Sequence, residues 1–396
     1  MHRNAFLPNR VLIVGSGCVA ESMLPLLSQY LPLCREHVAL LGADNDGGRK
    51  LAQRYGLNFS TCTLTPENYA AKLARHLSGG DVLLNLSLGV GSLDLMAWCR
   101  EQDVVYIDSN LEPWTGQTHS LALARMHALR WQGHGRATAV FWHGANPGLV
   151  THFLKEVLAL LAPGTATCYE AVQALGIQVL VISEFDSRRA SMSSAESNHG
   201  KTGIQPEFEF SNTLSASGLA GELCASAELA WGTHEGFAPV RAVLRSIGRG
   251  LALQLPTSGR ATLVRSWTPS AGEFHGYLLG HLESFSMAEL LSAPVPNNPI
   301  RPTVFYAVKP CFAAEAATRN MTVDVPPSHW RYRVLKDELF DGGIELGVLL
   351  LGPHLSYWYG SHLTLSEARR LRRLSTYLSC HLMRTALVLP VACAPD

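Results

Sequence analysis

Over the first 150 residues the hydrophobic positions fall in short, nearly unbroken runs separated by stretches with helical spacing. The runs at 10–15 (RVLIVG), 37–43 (HVALLGA), 81–87 (DVLLNLS), 104–109 (VVYIDS) and 138–144 (TAVFWHG) read as strands. The segments 20–31, 67–77 and 92–102 read as helices. Strands that are apolar along their whole length and alternate with helices predict a parallel sheet covered on both faces. The expected fold class is therefore α/β, a Rossmann-type doubly wound parallel sheet followed by a second α+β domain.

The rhythm changes near residue 165. The runs VQALGIQVLVIS (172–183) and GYLLGHLESFSM (276–287) read as long strands, and polar stretches such as 187–203 lie between them. A helix rich in Leu and Arg closes the chain. The expected organisation is a doubly wound α/β domain over 1–150 and an α+β domain over 151–365. A C-terminal helical segment, 366–396, is expected to return to the first domain.

Composition narrows the class. The 396 residues are 47% hydrophobic and 16% charged, enough for a large buried core. Lys+Arg and Asp+Glu are both 32, so no basic excess exists to hold phosphate backbones, which argues against a nucleic-acid partner. The longest apolar runs fall short of the ~18 to 20 residues of a membrane span, and MHRNAFLPNR has no apolar leader core. No membrane partner and a cytoplasmic location are expected. The nine cysteines are an odd number, scattered, and form no CxxC pair. That pattern predicts buried thiols rather than a disulfide framework or a metal site.

The strongest local signal is VLIVGSGCVAES. Gly15, Gly17 and Ala20 follow the first strand at the mouth of a helix, the GxGxxA pattern in its required context. The first glycine permits the tight turn, the second lets backbone approach a pyrophosphate, and the small third residue lets helix and strand pack closely. The anion then sits on N–H groups at the helix start, from Cys18, Val19 and Ala20. Asp44 and Asp46 follow the next strand, and a carboxylate there holds ribose hydroxyls and disfavours a 2′-phosphate, so NAD is preferred to NADP, with FAD the main competitor. Solvated turn residues are the alternative reading of both acids. Asn85 and Ser87 end the third expected strand, where they could line the nicotinamide half.

Acids placed at strand ends form a second signal. Glu112, Pro113 and Trp114 follow VVYIDS, and a carboxylate beside a broad aromatic suits an organic ammonium, although a capped turn would look the same. Glu184 ends VLVISE, Glu222 lies in SGLAGEL, and His281 and Glu283 stand two apart on an expected strand, which would put them on one face. Acids inside apolar segments cost free energy unless they are paired or used. Between the two signals lies FWHGANPGLVTHF (141–153), a helix-breaking loop between a strand and an apolar-periodic run. Loops at strand ends are where α/β proteins keep chemistry.

Taken in order, VGSGCVAESMLPLL, DVLLNLSLGVGSLDLMAWCRE, VVYIDSNLEPW, GANPGLVTHFLKEVL, AELAWGTHE, YLLGHLESFS, ELGVLLLG and YWYGS resemble the bacterial homospermidine synthases, a saccharopine-dehydrogenase-like family. The resemblance spans residues 10–365 and implies a small-molecule amine substrate of the putrescine type. It also implies tightly held NAD, oxidation of an amine carbon to an imine, displacement of ammonia by a second amine, and return of the hydride. A homodimer is implied as well. Residue by residue, it puts Glu112 at the substrate amine, Asn146 beside nicotinamide and substrate, and Glu184, Glu222, His281 and Glu283 in the wall of the amine pocket.

Two positions depart from the family. Its pocket aspartate is Gly89 here, and a tryptophan that embraces the cationic intermediate is Leu214, with Trp231 or Trp267 as candidate replacements. A desolvated cation–π contact contributes about 2 kcal/mol. Two other readings follow. One is a reductase joining an amine to a carbonyl compound, which would need a cation such as Arg188, Arg189 or Lys309 for a substrate carboxylate. The other is a non-catalytic dinucleotide-binding protein.

Overall fold

The computed structural model describes residues 9–30, 35–115, 137–191, 208–247, 250–292, 301–321 and 330–372. The chain divides into two compact units, with the described residues up to Leu149 in the first and those from Val150 in the second. Of the expected C-terminal segment, 366–372 belong to the second unit and the rest lies outside the described residues.

The first unit is built on strands β1 (Val11–Val14), β2 (Val38–Gly42), β3 (Asn58–Thr61), β4 (Val82–Asn85), β5 (Val105–Asp108) and β6 (Ala139–Val140). All pair in parallel in the order β3-β2-β1-β4-β5-β6, the doubly wound dinucleotide order. Helices α1 (Cys18–Tyr30), α2 (Asn45–Tyr55), α3 (Tyr69–Leu73) and α4 (Ser92–Glu101) follow successive strands. β1 and β4 are buried at every residue, as strands covered on both faces must be. Met23, Leu24 and Leu27 of α1 join Val11, Ile13, Leu40 and Leu84 in one core cluster.

Three local outcomes differ from the sequence pattern. α2 and β3 are present although their residues show no apolar run. α2 carries Gly47 and Gly48, poor helix formers, but a Cβ at Gly48 would lie 2.4 Å from the Phe59 ring, so the glycine admits the β3 side chain. The expected strand over 138–144 shrinks to two residues, because Trp142 adopts φ 54°. The helix expected over 67–77 is a single five-residue turn.

The second unit opens with α5 (Leu149–Leu161) and α6 (Cys168–Leu175). Its strands are β7 (Val179–Asp186), β8 (Arg189–Ala190), β9 (Phe208–Asn212), β10 (Ser226–Ala230), β11 (Val243–Ile247), β12 (Gly250–Ser258), β13 (Leu263–Thr268), β14 (Gly272–Leu279), β15 (Thr303–Lys309), β16 (Trp330–Val334), β17 (Leu339–Asp341), β18 (Gly343–Gly352) and β19 (Leu355–Thr364). Helices α7 (Ala216–Cys224), α8 (Leu282–Leu290), α9 (Phe312–Asn320) and α10 (Leu365–Arg372) complete it. A mixed sheet runs β11-β12-β10-β15-β7-β18-β19, and β14 joins β15 and β13. Alternation along β7 sends Leu180, Ile182 and Glu184 to one face and Val181, Ser183 and Phe185 to the other.

Both long runs expected as strands contain a helix. Residues 172–175 end α6, which starts at the Thr167/Glu170 capping box and stops at Gly176 in the left-handed region, φ 65°. In 276–287, β14 stops at Leu279, and His281, with φ −124°, is the N-cap of α8. His281 and Glu283 therefore do not alternate on a strand. A continuous apolar run carries no period to tell strand from buried helix.

Candidate active site

At the C-terminal edge of the first sheet the GxGxxA loop folds as its residues require. Gly15 has φ 104°, and a Cβ there would lie 2.7 Å from the Leu86 carbonyl group at the end of β4. Gly17 is exposed, and a Cβ there would meet nothing within 4 Å. The first glycine is thus fixed by the protein's own packing, whereas the second faces open space that a ligand can approach. Ala20 is buried in the core beneath α1, and Cys18 and Val19 open that helix. These residues fit a bound pyrophosphate on the N–H groups of the first turn.

Asp44 follows β2 and is the N-cap of α2: its Oδ1 accepts from the N–H groups of Asp46 and Gly47, both at 3.1 Å. Asp46 is an exposed first-turn residue. The turn reading and the ribose reading are compatible for Asp44, because capping uses one carboxylate oxygen.

Asn85 and Ser87 form a tight pair at the end of β4. Asn85 is 2% exposed and accepts through Oδ1 from Ser87 N–H (3.2 Å) and Ser87 Oγ (2.5 Å). Its Nδ2 donates to Tyr106 Oη at 3.2 Å, and Tyr106 donates to Asp108 Oδ2 at 2.7 Å. Asp108 Oδ1 accepts from the Trp142 N–H at 2.9 Å. Burial is the largest influence on Asp108 and pushes its carboxyl up to about 7, partly offset by the donors Tyr106, Trp142 and Ser92. Asp108 went unremarked in the sequence because it reads as the polar end of a strand.

Glu112 is 8% exposed. Asn110 Nδ2 donates to its Oε1, and Ser92 holds its main chain from both sides: Glu112 N–H donates to Ser92 Oγ (3.0 Å), and Ser92 N–H donates to the Glu112 carbonyl (2.9 Å). Trp114 offers no open face for a cation. It is 5% exposed, its indole N–H donates to Asp94, and its ring packs against Tyr69 at 5.6 Å and over Gly91.

The GANPG segment closes on itself. Gly144 N–H donates to the Pro147 carbonyl (2.8 Å), Leu149 N–H donates to the Gly144 carbonyl (3.0 Å), and Gly148 has φ 127° with Gly144 where its Cβ would stand. The Asn146–Pro147 peptide bond is cis. Asn146 stands half-buried on this loop, and the helix begins at Leu149.

In the second unit Glu184 and His281 meet at one tyrosine. Tyr306 on β15 donates its hydroxyl to Glu184 Oε2 at 2.9 Å, and its ring stacks on His281 at 4.8 Å. Glu283, 5% exposed in the first turn of α8, accepts from Thr151 Oγ1 of α5 at 2.7 Å. Glu228 on β10 is 1% exposed, and its carboxylate would lie 3.0 Å from a Cβ on Gly280, the residue before His281. Glu222 stands half-buried on α7, which packs against β9 and β16, while α8 packs against β10, β12 and β15. Sequence reading missed Tyr306 and Glu228. The signal available for Glu228 was an acid in the middle of the apolar strand SAELA.

Neither suggested aromatic replacement joins this group. The Trp267 carbonyl accepts from Ser183 Oγ at 3.0 Å, on the face of β7 opposite Glu184, and Trp231 packs on the cluster of Ala227, Leu229, Leu253 and Leu278. Two of the three cations suggested for a substrate carboxylate are engaged. Arg188, 4% exposed, forms a two-pronged bond with Asp186 at 2.8 and 2.7 Å and also donates to Thr213. Lys309 donates to Glu315, and Arg189 is exposed on β8.

Residues 11–134 match the family model described as the saccharopine dehydrogenase NADP binding domain. The homospermidine synthase of Blastochloris viridis is 33% identical over 389 residues, covering 91% of this chain and 79% of that protein. That of Mesorhizobium japonicum is 32% identical, covering 91% and 78%. The chain belongs to the homospermidine synthase family. The crystal structure of the homospermidine synthase from Legionella pneumophila, in complex with NAD, superposes with a TM-score of 0.83 at 32% identity, over 98% of this chain and 84% of that one. Against the family pattern, Gly89 is locked by backbone geometry. It has φ 69°, its carbonyl accepts from the N–H (2.8 Å) and hydroxyl (3.1 Å) of Thr115, and a Cβ would lie 2.3 Å from that hydroxyl oxygen. Among the described residues, no helix is long and apolar enough to cross a membrane.

Proposed function

We propose that this chain is an NAD-dependent homospermidine synthase-like enzyme that joins two small amines, putrescine or a related diamine, into a secondary amine with release of ammonia. The observation that carries this reading is membership of the family along 91% of the chain, with Glu184, His281 and Glu283 set within one unit of the fold. Gly15, Gly17, Cys18, Val19, Ala20 and Asp44 would hold NAD, with Asn85, Ser87 and Asn146 towards its nicotinamide half. NAD supplies a hydride acceptor that later returns the hydride, so no redox equivalent is consumed.

The protein's own side chains meet the remaining demands. An aliphatic ammonium stays protonated far above neutral pH, so a carboxylate must pair with it and another group must take its proton before the carbon can lose hydride. Glu112 is the proposed partner of the reacting amine. Glu283 and Glu184, each held in a fixed orientation by a hydroxyl donor (Thr151 and Tyr306), are the proposed partners of the ammonium ends. His281, braced by the Tyr306 ring, is placed to move a proton. Glu222 completes the proposed acidic wall. A homodimer in the cytoplasm is part of the same proposal, supported by the resemblance and by the scattered thiols.

Condensation of an amine with a keto acid is disfavoured, since the Arg188 and Lys309 charges are already met by Asp186 and Glu315. The test is an amine screen on protein as isolated. With putrescine alone, mass spectrometry should find homospermidine and ammonia, and Glu112→Gln should retain NAD but turn over at least tenfold more slowly. Product that appears only after NAD(P)H and a carbonyl compound are added would replace this reading with the reductase.

A further inference from the structure

Three loops at the C-terminal edge of the first sheet meet on one buried side chain. Asp108, 0% exposed at the end of β5, accepts the Trp142 N–H on one oxygen and the Tyr106 hydroxyl on the other. Through Tyr106 it reaches Asn85 and the Ser87 turn after β4. The Ser92 hydroxyl lies near both side chains and favours their ionised forms, and the same residue grips the Glu112 main chain. On the third side, Asp108 secures the backbone at the start of the GANPG segment, where Trp142 has φ 54° and His143 N–H donates to the Asp108 carbonyl at 3.1 Å. A bulky residue in the left-handed region is strained and persists only where its surroundings over-determine it. The Asp108 bond to the Trp142 N–H is part of that constraint.

We infer that Asp108 is a positioning residue for the reaction: its ionised carboxylate clamps the loops of Ser87, Glu112 and Asn146 in mutual register, and turnover requires the clamp closed. This rests on the proposed function for the roles of those loops, but the clamp itself is a property of the first unit. One donor sits on each carboxylate oxygen, Tyr106 on one and Trp142 on the other, so a proton added to either oxygen competes with a donor and loosens a loop. The ionisable groups that act on Asp108 are Tyr106 on its own strand and Glu112 beyond it, while α4 and β4 present the neutral Ser92 and Asn85 and the 142–143 segment presents backbone N–H groups. Burial and the Glu112 charge favour the proton, and the donors oppose it, which places the changeover near neutral pH.

The test uses the enzyme as isolated and reads amide hydrogen exchange of the 139–149 segment by mass spectrometry from pH 6 to 8.5, corrected for intrinsic rates, beside kcat and KM for putrescine. In the wild type, protection at Trp142 and kcat should fall together as pH drops through about 7. Asp108→Asn should lose protection at Trp142 at least tenfold at pH 8, lose its pH dependence, and lower kcat at least tenfold with KM changed less than threefold. Tyr106→Phe removes one donor and should move both midpoints to higher pH. Wild-type exchange and kcat in Asp108→Asn would overturn the inference. So would an unmoved midpoint in Tyr106→Phe, which decides the matter if Asp108→Asn fails to fold. If the wild type turns over no amine, the functional reading falls, and the exchange data still decide whether the clamp exists.

Discussion

The Thr151 hydroxyl donates to Glu283 Oε1 at 2.7 Å, joining residues 132 apart in the chain. Thr151 stands in the first turn of the helix that follows the GANPG loop, and Glu283 in the first turn of α8. Hydrogen bonds to a charged partner contribute about 1.5 to 3 kcal/mol. Thr151→Val keeps the side-chain shape and removes the donor, so kcat/KM for the diamine should fall about tenfold to a hundredfold and the thermal midpoint should fall by a few degrees. Steady-state kinetics with a melting curve checks this, and unchanged kcat/KM removes Glu283 from substrate binding.

Tyr306 braces two of the proposed site residues at once, Glu184 by its hydroxyl and His281 by its ring. Tyr306→Phe separates the two supports. The ring contact and the β15–β7 ladder survive, only the Glu184 bond is lost, and kcat/KM should drop about tenfold. Tyr306→Leu removes both supports and should cost distinctly more. Equal losses in the two variants would show that the hydroxyl alone matters.

The two loop glycines should fail differently. Gly17→Ala meets no atoms, so the fold should stand while NAD content of the purified protein falls, read by absorbance after denaturation. Gly15→Ala must adopt φ 104° with its Cβ 2.7 Å from the Leu86 carbonyl group, so stability should fall by about 1 to 3 kcal/mol or more in chemical denaturation. A Gly17→Ala protein that retains its NAD would argue against the pyrophosphate lying at this residue.

Asp44 both caps α2 and, as proposed, selects NAD. Asn is as good an N-cap as Asp, whereas Ala costs about 1 kcal/mol. Asp44→Asn should therefore hold the melting temperature and weaken the discrimination against NADP, while Asp44→Ala should lose both. Binding of the two nucleotides to NAD-stripped protein, by calorimetry, distinguishes them.

The buried Asp108 sets a pH dependence of stability whose sign follows from its raised position. Its folded-state value is about 7, against about 3.9 for an unfolded aspartate. Between these the folded state holds a proton that the unfolded chain has released. Its contribution to stability is thus present below about pH 4, lost as pH rises towards 7, and constant above. The stability of Asp108→Asn relative to wild type should accordingly increase from pH 4 to 7 and then level off in urea titrations. A pH-independent difference between the two proteins contradicts the assignment.

The chain's own pattern was sufficient for β1, β2, β4 and β5 with α1 and α4 between them, the Gly15–Gly17–Ala20 loop and the family resemblance. Each of these is local: an apolar run buried on both faces, a tight turn that only glycine tolerates, a motif read within a few residues. It did not announce α2 and β3, whose polar residues gain their structure from Phe59 packing over Gly48, nor the helical turn under Glu283, because a run that is apolar throughout carries no period. Three decisions belong to tertiary structure alone. It puts Tyr306 between Glu184 and His281, neutralises Arg188 with Asp186, and buries Asp108 where three loops meet. Tyr306 and Glu184 lie 122 residues apart and Asp108 and Trp142 34 apart, and desolvation, which gives a buried carboxylate its altered proton affinity, exists only once the surrounding core has closed over it.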